Sequence, residues 1–226
     1  MANLKNIIFY KNNLFLRHVV IYLLQVIMID KKAENFCYVV VGKIKDYQAN
    51  EILPFFVKQD LKRITNEKVI CQKKAAYGLL HYALLKFLNF NDDFSRVTKT
   101  KNGKPICENY HFSISHSGDL VAVALSSDNV GVDIENTNKK FNFERLKKIM
   151  LHESEKGITI TSPQDLIGLW VKKEAKFKFD GEKTFFPNQI DTARLVHHTK
   201  QFEFNGQVYF VCAITKETNI KWDFKV

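Results

Sequence analysis

The sequence predicts an α+β fold made of two similar α/β halves, and three observations support this expectation. The chain has 226 residues, of which 46% are hydrophobic, and this is ample for a packed core. Stretches typical of strands alternate with stretches of helical spacing. A faint repeat is present as well, with VIMID (26–30) before LKRI (61–64) and VGVDI (130–134) before LKKI (146–149). We therefore expect a boundary at residues 127–129 and a ligand site in the cleft between the halves.

The first half is expected to span residues 21–128, after an extension at residues 1–20. The apolar run at residues 14–29 is interrupted by Arg17 and Gln25, no small-residue cleavage site follows it, and it is shorter than the ~20 residues of a membrane span. We interpret it as a buried strand. The connection at residues 89–104 is polar and basic and ends in a strong turn signal, Asn102-Gly103-Lys104-Pro105. Strands are predicted at residues 21–30 and 36–41, and helices at residues 51–64 and 69–88.

The second half is expected to span residues 129–226. Residues 112–135 are expected to form two strands separated by a polar turn, so they cross the expected boundary between the halves. Ser162 and Pro163 are typical of a helix N-cap and first turn. Helices are predicted at residues 143–155 and 164–179, and a strand-rich tail at residues 190–216, with its clearest strand at residues 208–214.

The first stretch that carries chemistry is the acidic pair in VGVDIE. Asp133 and Glu135 are two residues apart in a β-branched run, so a strand points both carboxylates to one face. Like charges held together repel unless a cation joins them, and Mg²⁺ suits such hard oxygen ligands. A solvated polar face on an edge strand is the alternative explanation of this pair.

The second stretch is LWVKKEAKFK at residues 169–178. On a helix, Trp170, Glu174 and Lys178 share one face, and Lys173 lies beside them. A Glu–Lys pair on a basic amphipathic helix explains part of this pattern. It does not readily explain why Trp170 shares this face, because a solvent-exposed face of this kind is usually polar.

Charge and cysteine content narrow the class of protein. The formal net charge of +10 predicts an anionic partner, such as a phosphorylated small molecule, an acidic protein, a nucleic acid or a membrane surface. The four cysteines are more than thirty residues apart and contain no CxxC pair. We interpret them as reduced thiols of a cytoplasmic protein.

Together these stretches resemble the Sfp-type 4′-phosphopantetheinyl transferases. That family carries a GKP turn followed by a strand ending in S-H-S, a G-[IV]-D-[IVL]-E strand and a W-x-x-K-E-[AS]-x-x-K helix. The chain has Gly103-Lys104-Pro105 followed by FSISHSG, then VGVDIE, then WVKKEAKFK, in the same order. The resemblance covers the chain from about residue 21 and is firm at residues 101–181. It implies the family's fold, in which two halves are related by pseudo-twofold symmetry around the active site.

The resemblance also implies roles for individual residues. Asp133, Glu135 and Glu174 would bind Mg²⁺, or Mn²⁺ in its place, which bridges the diphosphate of coenzyme A. The phosphates would be contacted by Ser115, His116, Lys104, Lys173 and Lys178, together with Lys62 and Lys74 by a looser alignment. A satisfied strand-end histidine remains the alternative for His116, and a solvated helix face remains the alternative for Lys62 and Lys74.

The implied reaction is attack of a carrier-protein serine on the phosphorus that bears the pantetheine arm, with release of adenosine 3′,5′-bisphosphate. This is the activity of a holo-acyl-carrier-protein synthase. Lys173 would stabilise oxygens that gain charge, and Glu155 would be the general base. Glu153, Lys173 and a metal-bound water remain alternatives for the base. The expected partners are coenzyme A and an acidic acyl or peptidyl carrier protein, with no nucleic acid and no membrane, and the chain would act as a monomer.

Two other classes of function remain open from the sequence. The first is a basic nucleic-acid-binding module, for which charge is the only support because no RNP-like strand, zinc finger or Arg-rich arm is present. The second is a catalytically silent relative that binds a carrier protein without modifying it. The presence of all three candidate metal ligands argues against the second class.

Overall fold

The computed structural model describes residues 35–49 and 52–226, and the elements below are those of the described residues. The predicted extension at residues 1–20 and the predicted strand at residues 21–30, which includes VIMID of the repeat, lie outside them. The strands are β1 (Cys37–Lys43), β2 (Thr98–Lys99), β3 (Pro105–Ile106), β4 (His111–Ser117), β5 (Leu120–Ser126), β6 (Val130–Asn136), β7 (His198–Phe204), β8 (Gln207–Thr215) and β9 (Ile220–Lys225). The helices are α1 (Phe55–Leu61), α2 (Glu67–Ala83), α3 (Phe143–Met150) and α4 (Pro163–Asp180), with a π-helical turn at Leu84–Leu88 and 3-10 turns at Ile44–Asp46, Glu153–Glu155 and Pro187–Gln189.

Two sheets dominate the described part of the chain. The first has the order β4-β5-β1-β9, in which β1 is antiparallel to β5 and parallel to β9. The second has the order β6-β8-β7 and is antiparallel throughout. The prediction of two strands over residues 112–135 is wrong, because breaks at residues 118–119 and 127–129 divide this stretch among three strands, β4, β5 and β6. Strand β9 lies beyond the strand-rich tail predicted at residues 190–216. It forms the edge of the first sheet, next to β1.

Side chains of β1 and β5 point alternately into two hydrophobic cores, one on each face of the first sheet. Val40, Val121 and Val123 pack toward α2, whereas Val39 and Val41 pack toward the second sheet. Because successive side chains of a strand point to opposite faces, the continuous hydrophobic runs of β1 and β5 show that the first sheet is covered on both sides. On the far side of the second sheet, α4 packs against β8 through the fully buried Val171 and Ala175. The result is a layered α–β–β–α arrangement.

The helix that carries the WVKKEAKFK motif begins and ends where its sequence predicts. Ser162 is the N-cap and its hydroxyl accepts the Asp165 backbone N–H, while the Asp165 carboxylate accepts the Ser162 N–H. Pro163 occupies the first helical position. The helix stops at Gly181, which has a φ of 69° and so adopts the left-handed conformation that glycine tolerates best. The predicted cap pair is confirmed.

The single helix predicted at residues 143–155 is wrong in its second half. Helix α3 ends at Met150 because Leu151 is extended, and a separate 3-10 turn follows at Glu153–Glu155. A capping box starts this turn: the His152 ring accepts the Ser154 N–H, and the Glu155 carboxylate accepts the His152 N–H. The helical spacing of the sequence continues past Met150, although the backbone leaves the helix there and begins a separate turn.

Gly131 allows α4 to lie directly on β6. A Cβ at this position would collide with the backbone carbonyl of Ala175 and the backbone nitrogen of Phe179, neither of which can move away easily. We expect Gly131→Ala to lower the free energy of unfolding by about 1–3 kcal/mol, the usual cost of overpacking. Denaturant unfolding measures this loss, with Gly157→Ala as the matched control, since nothing lies within 4 Å of the corresponding Cβ. Equal stability of the two variants would contradict the close approach.

The expected mixed α/β character is confirmed. The two similar halves, their pseudo-twofold relation and the cleft between them stay predictions. No helix among the described residues combines the length and the apolar character needed to cross a membrane.

Candidate active site

Three serines of β4 connect the two sheets. Ser113, Ser115 and Ser117 alternate with Ile114 and His116, so all three share the face of β4 that points to β6. The Ser113 hydroxyl accepts the Val132 N–H at 3.0 Å, and the Ser115 hydroxyl donates to Asp133 at 2.6 Å. The Ser117 hydroxyl donates to Glu135 and accepts the Asn136 N–H at 3.2 Å. Side chains, rather than a backbone ladder, therefore hold the S-H-S strand against the D-x-E strand.

The buried centre of the site is Asp133. Its side chain is 3% exposed, and Oδ1 accepts both the Ser115 hydroxyl and the Lys178 ammonium, the latter at 2.7 Å. Lys178 also lies 3.8 Å from the Glu174 carboxylate, one turn earlier on α4. The structure thus brings together the acid of the strand motif with the Glu and the Lys of the helix motif, as the i, i+4 spacing predicts.

Glu135 lies on the same face of β6 but has different partners. Its carboxylate accepts the Ser117 hydroxyl and pairs with Lys139 at 2.6 Å. Lys139 was not among the predicted site residues, although its position four residues after Glu135 is a signal that could have found it. The Glu135 side chain is 13% exposed, so it borders the buried cluster rather than the open solvent.

Burial, and then the neighbouring Asp133 charge, raise the pKa of Glu174 to about 7. We therefore predict that Glu174 titrates near pH 7 in the metal-free protein, whereas an ordinary glutamate titrates near ~4.3. Removing the Asp133 charge by Asp133→Asn should move the pKa of Glu174 downward. Carboxyl ¹³C NMR of Glu-labelled protein measures both values, with Glu174→Gln identifying the resonance. A Glu174 resonance that titrates in the ordinary range in the unmodified protein would contradict this electrostatic description.

The residues present fit a divalent cation by their chemistry. Within residues 35–49 and 52–226, no three His, Cys, Asp or Glu side chains are arranged to hold a metal ion as they stand. Instead, the ammonium groups of Lys178 and Lys139 neutralise Asp133 and Glu135. The donors offered by Asp133, Glu135 and Glu174 are all oxygens, which suit Mg²⁺. Burial, and then the Asp133 charge, disfavour the ionised form of Glu174, and a bound cation would favour it.

Lys173 and Glu155, the two predicted catalytic residues, form a fully buried ion pair of 2.6 Å. The Lys173 ammonium also donates to the backbone carbonyls of Pro187 and Ile190, at 3.0 and 2.5 Å. The Glu155 carboxylate also accepts the Thr192 N–H at 2.8 Å. Burial lowers the pKa of the Lys173 ammonium. Burial alone would raise the pKa of the Glu155 carboxyl, but the Lys173 and Thr192 donors hold that pKa below its usual range. The pair fastens residues 187–192 onto α4.

The alternative base, Glu153, lies in a different environment. Its side chain is 79% exposed, and its carboxylate pairs with Lys156 at 2.6 Å. Glu153 therefore has direct access to solvent, which Glu155 does not have in this arrangement.

His116 lies near the carboxylates of Asp133 and Glu135, whereas Lys104 lies at the end of α4. His116 is on the opposite face of β4 from the serines and is exposed; partial desolvation, followed by the Lys178 charge, lowers the pKa of its ring. The Lys104 ammonium donates to the Phe179 carbonyl at 3.0 Å and to Asn129 at 2.7 Å. Lys104 thus docks the GKP turn on the carboxyl end of α4, where a cation is favourable, and desolvation lowers the pKa of its ammonium.

A cavity of about 370 Å³ lies between the GKP turn, β4 and the end of α4. Lys178 lines this cavity, so the cavity borders the Asp133 cluster. Lys183 also lines the cavity; it was not among the predicted site residues, because no motif marks the segment that follows α4. The lining also includes Lys104, Pro105, Ile114 and Phe177.

The last two predicted phosphate ligands, Lys62 and Lys74, lie near α1 and in α2. Lys62 follows the end of α1 and is exposed, and Lys74 is half-buried in α2. A phosphate-binding role of either residue stays a prediction.

Comparison with known proteins points to one family. No family model matches the chain. The 4′-phosphopantetheinyl transferase psf-1 of Bacillus pumilus is 33% identical over 109 residues, which is 42% of this chain and 43% of that protein. The 4′-phosphopantetheinyl transferase gsp of Aneurinibacillus migulanus is 27% identical over 137 residues, 58% of this chain and 56% of that protein. The 4′-phosphopantetheinyl transferase ffp of Bacillus subtilis is 31% identical over 115 residues, 44% of this chain and 47% of that protein.

The matched part of the chain spans about half the length of these curated relatives. The predicted resemblance to the Sfp-type 4′-phosphopantetheinyl transferases is confirmed by these matches.

Proposed function

We propose that the protein transfers the 4′-phosphopantetheine arm of coenzyme A to a serine of an acyl or peptidyl carrier protein. The observation that carries this proposal is the meeting of Asp133, Glu174 and Lys178 beside a cavity. These residues come from two of the three motifs by which the chain resembles the transferases. Their charges suit a diphosphate held together with a divalent cation.

The proposed metal ligands are Asp133, Glu135 and Glu174. Mg²⁺, or Mn²⁺ in its place, would supply positive charge to the diphosphate oxygens. Ser115 and Ser117 hold Asp133 and Glu135 by hydrogen bonds, so they fix the orientation of two of the three carboxylates. Ser115 would therefore act on the phosphates through Asp133 as well as directly.

The proposed site for the adenosine half of coenzyme A is the cavity beside the GKP turn. Ile114, Pro105 and Phe177 give it apolar walls, and Lys178 and Lys183 give it positive charge. Lys104 lines the same cavity while it caps α4. We propose that His116 donates a ring N–H to the 3′-phosphate and that Lys62 and Lys74 supply positive charge to it.

In the proposed reaction, the serine oxygen of the carrier forms a bond to the phosphorus that bears pantetheine. The bond from that phosphorus to the bridging oxygen breaks, and adenosine 3′,5′-bisphosphate leaves with the electron pair. The serine proton passes to a base, for which Glu155 is the proposed residue and Glu153 the exposed alternative. The buried Glu155 carboxylate already accepts donors from Lys173, Thr192 and His152, so it can act as the base only after a rearrangement that exposes it to the serine.

The proposed protein partner is acidic. The formal net charge of +10 favours association with an acidic carrier protein by electrostatic attraction. No specific contact in the described residues favours a nucleic acid, for which this charge is the only support. A monomer located in the cytoplasm is part of the same proposal.

Binding of coenzyme A tests the proposed phosphate contacts. We expect His116→Ala to weaken coenzyme A binding by about tenfold, the usual loss of one charged hydrogen bond. Dephospho-coenzyme A, which lacks the 3′-phosphate, should bind the variant and the unmodified protein with similar affinity. Isothermal titration calorimetry measures the four affinities. The matched control is His111→Ala, because His111 is exposed on the same strand.

Equal losses for both nucleotides in His116→Ala would contradict a contact with the 3′-phosphate. Failure of the unmodified protein to bind coenzyme A in the presence of Mg²⁺ would contradict the proposed function itself.

A further inference from the structure

A second cavity, of about 720 Å³, lies at the end of the first sheet and is separate from the candidate active site. It is enclosed by the 3-10 turn after β1, the first half of α2, the β4–β5 turn and the β7–β8 turn. It shares no residue with the cavity beside the GKP turn. Its lining includes Lys43, Lys45, Lys68, Gln48, Cys71 and Phe204.

Three lysines give this cavity its charge. In the part of the chain that the structure describes, no carboxylate forms an ion pair with Lys43, Lys45 or Lys68, whereas Lys73, Lys86, Lys99 and Lys139 each have one. Asp119 is the one acidic residue of the lining. Uncompensated ammonium groups around a concave surface raise the local concentration of anions.

The wall of the cavity between these lysines is apolar and held in place. Ile44, Cys71 and Phe204 supply carbon and sulfur surface, and the Lys43 ammonium lies 5.6 Å from the centre of the Phe204 ring. The Gln48 amide donates to the Ile44 carbonyl and, at 3.2 Å, to the Cys71 carbonyl, so it joins the 3-10 turn to α2. A cavity with apolar walls and a few fixed polar groups is typical of a small-molecule site.

We propose that this lysine-lined cavity binds a small amphiphilic anion, in which a carboxylate or a phosphate is carried on an apolar or aromatic body. The anionic group would meet the three ammonium groups, and the body would lie against Phe204 and Ile44. Gly118 lines the cavity and directly follows Ser117, whose hydroxyl holds Glu135. An occupied cavity would therefore lie next to the strand end that positions one of the candidate metal ligands.

The probe for this proposal is 2-naphthyl phosphate, with neutral 2-naphthol as its uncharged counterpart. Cys71 is a half-buried free thiol in the cavity wall, whereas Cys107 is a half-buried free thiol outside it. Alkylation of each thiol by iodoacetamide, followed by peptide mass spectrometry, reports occupancy at Cys71 and uses Cys107 as the internal reference. We expect 2-naphthyl phosphate to slow alkylation of Cys71 but not of Cys107, and 2-naphthol to have a much smaller effect.

A triple variant, Lys43→Met, Lys45→Met and Lys68→Met, keeps the side-chain stems and removes the charges. We expect it to need at least about tenfold more 2-naphthyl phosphate for the same protection of Cys71. The matched control carries Lys140→Met, Lys148→Met and Lys200→Met, three exposed lysines outside the cavity, and should behave as the unmodified protein. Lys178→Met should also leave protection intact, because Lys178 belongs to the other cavity.

Three results would overturn the proposal. The first is equal protection by 2-naphthol, which would show that the charge is irrelevant. The second is unchanged protection in the triple variant. The third is loss of protection in Lys178→Met, which would place the probe in the candidate active site.

Discussion

Asp133→Asn is expected to lower the rate of phosphopantetheine transfer by at least about 10²- to 10³-fold, the usual cost of losing one preorganised charged group at a phosphoryl-transfer site. Asp133 is buried, orients the Lys178 ammonium at 2.7 Å and lies beside Glu174. The amide keeps the shape of the side chain but carries no charge. Both Lys178 and a bound cation would lose their principal anionic partner.

The rate of carrier-protein modification measures this effect, and circular dichroism checks that the variant is folded. Asp46→Asn is the matched control, because Asp46 is exposed in the 3-10 turn after β1 and forms no ion pair among the described residues. Full activity of Asp133→Asn, with the fold intact, would remove Asp133 from the metal and phosphate site.

Lys173→Met is expected to lower the free energy of unfolding by about 3–5 kcal/mol, because it leaves the Glu155 carboxylate buried without its cation. The ammonium also donates to the Pro187 and Ile190 carbonyls, so residues 187–192 lose their attachment to α4. Denaturant unfolding measures the loss. Lys172→Met is the matched control, since Lys172 is the preceding residue of the same helix and has no ion-pair partner in the described chain.

Acid should reduce the difference in free energy of unfolding between Lys173→Met and Lys172→Met, because protonation removes the unpaired charge of Glu155. Its pKa is lowered in the folded state, so the stabilisation is present above the ordinary carboxyl pKa and is lost as the pH falls through the lowered value. The double variant Lys173→Met and Glu155→Gln should regain part of the stability, because the unpaired charge is gone. Equal unfolding of Lys173→Met and Lys172→Met would contradict the buried pair.

The sequence predicted the positions that depend on local periodicity. The i, i+2 spacing placed Asp133 and Glu135 on one face of β6, and the i, i+4 spacing placed Glu174 next to Lys178. The same alternation, applied to S-I-S-H-S, could have shown that Ser117 shares a face with Ser115. Local patterns of this kind are set by the geometry of single elements.

The features that sequence reasoning missed depend on residues far apart in the chain. Burial of Lys173 results from segments 14 and 17 residues further on, whose carbonyls it meets. The helix predicted through Glu155 ends at Met150, and in the 3-10 turn that follows the Glu155 carboxylate accepts donors from Lys173 and Thr192, which lie far from it in the chain. Strands β1 and β9 pair although they lie near opposite ends of the described chain, and no local sequence pattern indicates which strand β9 pairs with.

The intact mass of apo carrier proteins after incubation with this protein, coenzyme A and Mg²⁺ tests the proposed function most directly. We predict a gain of one 4′-phosphopantetheine group on a carrier serine, no gain in EDTA, and none with Asp133→Asn. Apo carriers of fatty-acid, polyketide and nonribosomal-peptide type should each be tried, with an authentic transferase as the positive control on the same preparations. If the control modifies the carriers while this protein leaves the mass of every one unchanged, the proposed transferase activity is contradicted, and binding without transfer would identify a silent relative.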